Sequence, residues 1–186
     1  MQLPIRAALP RLDQVNVAWR GRAFSLPFFF RKGRAGPCVF FVHGLGGAKE
    51  NFYAAFQSPA LADCTLLAID FPGTGLADFY PDAGLDVAGL AQIAQTVADT
   101  LLPESYFLVG ASMGGLITLL QIRYHGLGRI QGLINIEGNL CPKTVCFPVG
   151  RFRRRLKLLV RHSSEWQRNF ALRDIWVVNS LLRTWH

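Results

Sequence analysis

Cysteine is scarce in this sequence, with four among 186 residues, and histidine is equally scarce. The cysteines are Cys38, Cys64, Cys141 and Cys146, and they show neither the paired spacing of a zinc site nor the density of a disulfide framework. Cys38 and Cys64 lie in or beside apolar segments, where a small buried thiol is expected. These features predict no metal and no cofactor, and they favour a reducing, cytoplasmic environment.

Long uninterrupted apolar runs are also missing, so the sequence predicts no membrane span. Residues 1–6 lack the continuous apolar segment that is typical of a secretory signal peptide. Hydrophobic residues nevertheless make up 51% of the chain and aromatic residues 12%, which excludes a disordered protein. A chain of this length and composition can form one domain with a full core.

Net charge is absent from residues 1–140, which hold ten basic and ten acidic residues. The whole excess of +8 comes from residues 141–186, where ten Lys and Arg face only Glu165 and Asp174. The same segment has one Ala, one Gly and three of the four Trp. The composition therefore divides the chain near Cys141 into an N-terminal part, residues 1–140, and a basic tail, residues 141–186.

Strand-like and helix-like patterns alternate through the N-terminal part. Strands are predicted at 14–19, 23–31, 39–42, 66–69, 106–109 and 133–136, and helices at 50–56, 86–102 and 113–124. All-apolar strands that alternate with helices are typical of a parallel sheet with both faces covered. The predicted fold class is α/β, with a mostly parallel twisted sheet and helices on both faces.

Four of the predicted strands end in polar or glycine-rich residues, at His43, Asp70, Ser112 and Glu137. The carboxyl ends of parallel strands meet at one edge of the sheet, and ligands bind in the crevice beyond that edge. We therefore expect these four strand ends to lie at one edge of the sheet.

The segment around Ser112 carries the strongest single motif. Gly110-Ala111-Ser112-Met113-Gly114 separates an apolar strand from an apolar stretch of helical length, which is the context of a nucleophile elbow. Such a turn is so tight that glycine is needed two residues before and two residues after the serine. The alternative is an ordinary strand-to-helix turn in which Ser112 caps the helix.

The sequence over about residues 14–140 resembles the α/β-hydrolase family. The resemblance is carried by the glycine-rich segment at 43–47, the Asp-Phe-Pro-Gly-Thr-Gly turn at 70–75 and the Gly-x-Ser-x-Gly turn at 110–114. It implies that Ser112 attacks an acyl carbonyl and that the backbone N–H groups of Leu45 and Met113 hold the oxyanion.

The resemblance also implies structural roles within the same motifs. Gly44 belongs to the oxyanion loop, while Gly110 and Gly114 belong to the elbow. His43 could be mistaken for the catalytic base, but its place before the glycine-rich loop resembles that of the family's structural histidine, which orders the loop.

The acid and the base are harder to assign, because in this family they follow the nucleophile in the order acid, then histidine. Glu137 directly follows a predicted strand, and some family members place their acid at that position. An equally good interpretation is a carboxylate that binds loop amides. His162 and His186 are the only histidines after Glu137, and neither follows an apolar strand as the family pattern requires. The sequence therefore identifies no catalytic base.

The basic tail admits three interpretations. Phe152, Leu156, Leu159, Val160, Trp166 and Phe170 have helical spacing among arginines, which predicts a basic amphipathic helix that begins a lid or cap. The same helix could contact a membrane surface or a nucleic acid, although we expect no nucleic-acid partner. The third interpretation, which we favour, is an incomplete or out-of-frame end to a hydrolase domain. A further strand is possible at 175–178.

Two classes of function follow. The first is a serine hydrolase of a small acyl ester or thioester. The second is a truncated or pseudo-hydrolase that binds a small apolar ligand or a partner without turnover. Because the three members of a triad act as a unit, a chain without an identified base is expected to be a poor catalyst.

Overall fold

The computed structural model describes residues 9–102 and 105–136, and the backbone of two short strands at 156–158 and 175–178. Within this part of the chain, eight strands form one sheet. The strands are β1 Arg11–Trp19, β2 Arg22–Arg31, β3 Cys38–Val42, β4 Thr65–Ile69, β5 Tyr106–Ala111, β6 Ile130–Ile136, β7 Leu156–Leu158 and β8 Ile175–Val178. The α-helices are α1 Tyr53–Gln57, α2 Val87–Leu101 and α3 Met113–His125, and short 3₁₀ turns lie at Lys49–Phe52, Pro59–Leu61 and Pro81–Ala83.

The sheet is mostly parallel, as the sequence predicted. Its strand order is β1-β2-β4-β3-β5-β6-β8-β7. The pairs β1–β2 and β2–β4 are antiparallel, and every other pair is parallel. The carboxyl ends of β3, β4, β5 and β6 therefore meet at one edge, which brings the residues that follow these strands together.

Two apolar clusters cover the two faces of the sheet. On one face, α2 and α3 contribute Ile93, Val97 and Ile117 to a core that includes Phe40 and Leu108. On the other face, Phe52 and Phe56 pack against a second set of strand residues. Alternate residues of β3 and β5 thus point into different clusters, which is why these strands read as continuous apolar runs. The predicted arrangement of helices on both faces is confirmed.

The β1–β2 hairpin turns at Arg20 and Gly21, between the paired residues Trp19 and Arg22. Both turn residues have positive φ, +46° and +78°. Two successive positive φ angles define a type I′ turn, whose twist matches that of the flanking strands. The strands predicted at 14–19 and 23–31 both form, and each is slightly longer than expected.

The helices agree with their predicted positions to within a few residues. Helix α2 begins after Asp86, whose carboxylate accepts a hydrogen bond of 2.7 Å from the Gly89 N–H and so caps the helix. The predicted helix at 50–56 is divided into a 3₁₀ turn followed by α1. No helix in the described residues is long and apolar enough to cross a membrane.

One segment of the basic tail has a different secondary structure from the predicted one. The helical spacing predicted a helix through Leu156, but Leu156–Leu158 is extended and forms β7, parallel to β8. Leu-Lys-Leu also fits the two-residue period of a strand, and so short a run cannot distinguish the two structures. The strand predicted at 175–178 is confirmed as β8, which pairs with β6 and satisfies its outer edge.

Candidate active site

Ser112 lies between β5 and α3, at the carboxyl edge of the sheet. Its φ of +50° places it in a region that residues with side chains rarely adopt. Its backbone N–H donates to the Ile136 carbonyl at 2.8 Å, and its carbonyl accepts from the Gly115 N–H at 2.9 Å. The side chain is exposed and makes no capping hydrogen bond to α3. The structure thus has the strained geometry of an elbow and does not support the alternative of a helix cap.

The glycines of the elbow lie where a side chain has no room. A Cβ atom on Gly114 would lie 2.1 Å from the Val42 carbonyl oxygen, and one on Gly110 would lie 2.6 Å from the Gly114 carbonyl oxygen. Both distances are to backbone atoms, which cannot move aside as a flexible side chain can. These contacts explain why the motif requires glycine at both positions.

Residues 43–49, which we term the 43–49 loop, follow β3 and lie beside Ser112. A Cβ atom on Gly44 would lie 3.0 Å from the Ser112 Cβ and 3.5 Å from its Oγ. The absence of a side chain at Gly44 therefore lets the loop backbone approach the serine hydroxyl.

The direction of the Leu45 N–H follows from the contacts of the preceding carbonyl. The Gly44 carbonyl accepts hydrogen bonds from the His43 Nδ1–H at 2.8 Å and from the Gly47 N–H at 3.1 Å. In a trans peptide the N–H points opposite to the C=O, so the Leu45 N–H points away from the His43 ring. The Leu45 side chain is 83% exposed, and its backbone is the part of the residue that can serve the site.

The N–H groups of Leu45 and Met113 have no acceptor among the described residues. Met113 is the first residue of α3, where N–H groups lack partners within the helix and the helix dipole favours negative charge. Met113 directly follows Ser112. Leu45 directly follows Gly44, and Gly44 lies close to Ser112.

His43 is buried, with 1% of its surface exposed, and both ring nitrogens are engaged. Nδ1 donates to the Gly44 carbonyl, so in the neutral ring Nε2 accepts the Phe71 N–H at 3.3 Å, and the Thr74 hydroxyl lies 3.2 Å from it. Burial lowers the pKa of His43. This effect outweighs the hydrogen bond to the Gly44 carbonyl and the charge of Asp70, both of which raise the pKa. A buried neutral ring with these partners holds the loop and is not placed to take a proton from Ser112.

Asp70, which follows β4, holds several parts of the site together through hydrogen bonds. Its ion pair with Lys49 was not predicted from the sequence. Asp70 is fully buried and accepts hydrogen bonds from the Lys49 N–H at 2.8 Å, the Lys49 Nζ at 2.8 Å and the Leu76 N–H at 3.0 Å. Burial alone would lower the pKa of Lys49, but hydrogen bonds to Asp70 and Glu50 raise it above its ordinary value. The only signal in the sequence was a lone lysine at the end of a glycine-rich loop.

A model of the alpha/beta hydrolase family matches residues 39–185. The match covers well over half of the chain and includes the 43–49 loop, the turn after β4 and the elbow. The chain belongs to the alpha/beta hydrolase family. The resemblance seen in the sequence is confirmed.

Curated relatives are 2-succinyl-6-hydroxy-2,4-cyclohexadiene-1-carboxylate synthases. The protein from Yersinia pseudotuberculosis serotype O:1b (strain IP 31758) is 34% identical over 116 residues, which cover 59% of this chain and 39% of that protein. The protein from Enterobacter sp. (strain 638) is 35% identical over 112 residues, covering 58% and 40%. The chain thus matches about two fifths of the length of these relatives.

Solved structures agree on the fold. An alpha/beta hydrolase from Novosphingobium aromaticivorans DSM 12444 superposes with a TM-score of 0.57 and 21% identity, over 67% of this chain and 43% of that one. A hydrolase from Pseudomonas aeruginosa PA01 gives a TM-score of 0.59 and 19% identity, over 76% and 51%. At these identities the likeness concerns the fold alone.

The acid and the base of this alpha/beta hydrolase are not among the residues brought together so far. Glu137, His162 and His186 lie outside the described residues. The residue before Glu137, Ile136, contacts Ser112 through the backbone. His125 is exposed at the far end of α3, about 18 Å along the helix from Ser112. No group of three His, Cys, Asp or Glu in the described residues could hold a metal ion.

An apolar pocket of about 240 Å³ lies beside the turn that follows β4. Its lining includes Phe24 of β2, Phe79 and Tyr80 of the connection to α2, and Leu90 of α2. The Phe79 side chain is 67% exposed, so the pocket opens to solvent at this residue. The pocket is large enough for a short acyl chain or a small aromatic ring.

Proposed function

We propose that this alpha/beta hydrolase is a serine hydrolase that acts on a small acyl ester or thioester through an acyl-enzyme on Ser112. The observation that carries the proposal is the exposed Ser112 at φ +50°, uncapped and in contact with Gly44 of the 43–49 loop. Strained backbone at an exposed polar residue is typical of functional sites. An ordinary strand-to-helix turn would require neither the strain nor the close approach of the loop.

The proposed reaction uses the groups at this edge in sequence. The Ser112 Oγ attacks the acyl carbonyl carbon and its proton passes to a base, while the carbonyl oxygen becomes an oxyanion between the N–H groups of Leu45 and Met113. The leaving alcohol or thiol takes up the proton, and water then hydrolyses the acyl-enzyme by the same steps. Each N–H donor contributes on the order of 3 kcal/mol to transition-state stabilisation.

Within the given sequence, the basic tail supplies the remaining candidates for the base. His43 is committed to the loop and His125 is remote, which leaves His162 and His186 among the four histidines of the chain. Glu137 remains the proposed acid, as the residue that follows the strand next to β5. The proposed substrate is a small acyl compound.

The test is hydrolysis of p-nitrophenyl acetate and butyrate by the purified chain, beside Ser112→Ala. We expect slow turnover that is lost in Ser112→Ala. Ser58→Ala is the matched control, because Ser58 precedes a 3₁₀ turn and its side chain makes no capping hydrogen bond. Turnover that persists in Ser112→Ala would contradict the proposal.

A second experiment addresses the base. Replacing both His162 and His186 by Ala is expected to abolish the Ser112-dependent turnover. If that turnover survives the double change, neither tail histidine is the base, and this assignment is wrong.

The alternative function is a pseudo-hydrolase that binds a small apolar ligand. The apolar pocket near Phe79 favours it. This function predicts saturable binding of a small aromatic ester with no turnover, unchanged in Ser112→Ala and weakened when Leu90→Trp fills the pocket. Binding that is insensitive to Leu90→Trp would contradict it.

The name of the curated relatives supplies one more candidate reaction, at the same Ser112. Those proteins are named for the synthesis of 2-succinyl-6-hydroxy-2,4-cyclohexadiene-1-carboxylate. Formation of that compound by this chain, lost in Ser112→Ala, would place the chain with the synthases rather than with the ester hydrolases.

A further inference from the structure

Lys49 is a deeply buried basic side chain near the site, with 1% of its surface exposed. It ends the 43–49 loop and begins the 3₁₀ turn Lys49–Phe52. Its Nζ lies 2.8 Å from Asp70 Oδ2, 2.7 Å from Glu50 Oε1 and 5.1 Å from the centre of the Phe29 ring. A buried ammonium with this set of partners is held in one place.

Asp70 is the first of residues 70–76, which we term the 70–76 turn, and its hydrogen bonds connect this turn to the 43–49 loop. Its carboxylate accepts the N–H of Lys49 on one side and the N–H of Leu76 on the other, in addition to the Lys49 ammonium. A Cβ atom on Gly75 would lie 2.2 Å from the Asp70 carboxylate, so the turn closes tightly around it. One carboxylate therefore joins both segments.

The other end of the loop is fastened to the same turn. Phe71, the residue after Asp70, donates its N–H to the His43 Nε2, and the His43 Nδ1–H donates to the Gly44 carbonyl. Asp70 is thus connected, through Phe71 and His43, to the peptide that carries the Leu45 N–H. The loop has Gly44, Gly46 and Gly47 between its two ends, with Gly46 at φ +68°, so its backbone has wide conformational freedom. Within the loop, the Gly47 N–H donates to the Gly44 carbonyl at 3.1 Å and adds a local restraint.

We propose that Lys49 is a positioning residue for the oxyanion hole. Its ion pair with Asp70 fixes the C-terminal end of the 43–49 loop, as His43 fixes the N-terminal end, and the two together fix the direction of the Leu45 N–H. The inference rests on the proposed function, because the Leu45 N–H matters for catalysis only if an oxyanion forms at Ser112. Hydrogen bonds to Asp70 and Glu50 raise the pKa of Lys49, so the residue stays charged over the pH range of an esterase assay.

The test compares Lys49→Met with Arg31→Met in the p-nitrophenyl ester assay. Arg31 is a second buried cation, 4% exposed, that donates to the carbonyls of Phe56 and Leu61 and does not contact the 43–49 loop. Both changes remove a buried charge with hydrogen bonds, and both are expected to lower the Tm. We expect Lys49→Met to lower kcat at least about tenfold, with KM within about twofold. Displacement of the Leu45 N–H weakens binding of the transition state more than binding of the substrate. We expect Arg31→Met to keep kcat within about twofold.

Conservative variants separate positioning from loss of folding. Lys49→Arg keeps the charge toward Asp70 and is expected to retain more of kcat than Lys49→Met. If Lys49→Met does not fold, Lys49→Gln, which keeps a donor toward Asp70, takes its place in the comparison. The proposal is overturned if the folded Lys49 variant has the wild-type kcat, or if Arg31→Met loses kcat to the same extent.

A measurement without turnover keeps this inference separate from the proposed function. If the wild-type chain shows no Ser112-dependent hydrolysis, the proposed function fails, but ¹⁵N relaxation of the Leu45 amide still tests the positioning. We expect the order parameter of this amide to fall in the Lys49 variant and to stay unchanged in Arg31→Met. Equal order parameters in all three proteins would overturn the positioning role.

Discussion

Ser112 follows β5 and Asp70 follows β4 at the same edge of the sheet, with β3 between the two strands, yet their environments are opposite. Asp70 is fully buried and accepts three hydrogen bonds, whereas the Ser112 side chain is exposed, uncapped and carried on a strained backbone. A polar side chain whose hydrogen-bonding capacity is filled by the protein stabilises the fold. One that is left open at the cost of strain is available for chemistry. The two residue types look equally functional in the sequence, and only their surroundings distinguish them.

The largest expected effect is the loss of stability in Asp70→Ala. The change leaves the Lys49 ammonium buried without Asp70 and removes the acceptor of the Leu76 N–H. Breaking a buried ion pair in this way costs about 3–5 kcal/mol in the free energy of unfolding. Ser112→Ala, at an exposed position, is expected to change it by less than about 0.5 kcal/mol. Urea denaturation of both variants measures the difference, and equal losses would remove the distinction drawn above.

A smaller loss is expected in Gly114→Ala, which tests the close packing behind Ser112. The new Cβ atom would lie 2.1 Å from the Val42 carbonyl oxygen, so β3 and α3 must move apart, at a cost of about 1–3 kcal/mol. Gly89→Ala in α2 is the matched control. A Cβ atom there would first meet the side chains of Leu85 and Trp19, and alanine gains about 1 kcal/mol in helix propensity. If Gly89→Ala loses as much stability as Gly114→Ala, backbone contact is not the cause.

The pH dependence of stability should report His43. Burial lowers its pKa in the folded chain below the ordinary value of 6.5, so below pH 6.5 the unfolded chain binds a proton that the folded chain does not. The free energy of unfolding should therefore decrease as the pH falls from 6.5 toward the lowered pKa, by up to about 1.4 kcal/mol per pH unit. The decrease in the free energy of unfolding that is due to His43 should vanish in His43→Gln and persist in His125→Gln. Urea denaturation between about pH 5 and 8 measures it. A decrease that survives His43→Gln would assign it to other groups.

The smallest effect concerns the strain at Ser112. Glycine adopts positive φ without a steric penalty, so Ser112→Gly should be more stable than Ser112→Ala by about 1 kcal/mol. Both variants lack the hydroxyl, and the comparison isolates the backbone. Thermal or urea denaturation gives the difference, and an Ala variant as stable as the Gly variant would mean that the elbow is unstrained.

The strand positions, the mostly parallel sheet, the turn at Ser112 and the glycine-rich loop could be predicted because local patterns encode them. Apolar runs that end in Gly-x-Ser-x-Gly or His-Gly-x-Gly-Gly place Ser112 and the loop at one edge without any knowledge of the remaining chain. The ion pair of Lys49 and Asp70 joins residues 21 positions apart, and no periodicity marks such a contact. The strand β7 was missed because Leu156–Leu158 fits helix and strand spacing equally well, and pairing with β8 decides between them.

The most direct test of the account is covalent labelling of the whole chain with a fluorophosphonate, followed by peptide mapping with mass spectrometry. These reagents phosphonylate a serine hydroxyl that is activated as a nucleophile, with loss of fluoride. The account predicts one adduct, on Ser112, that is absent from Ser112→Ala and unchanged in Ser58→Ala. No adduct, or modification of another serine at the rate of Ser112, would contradict the claim that Ser112 is the nucleophile of this alpha/beta hydrolase.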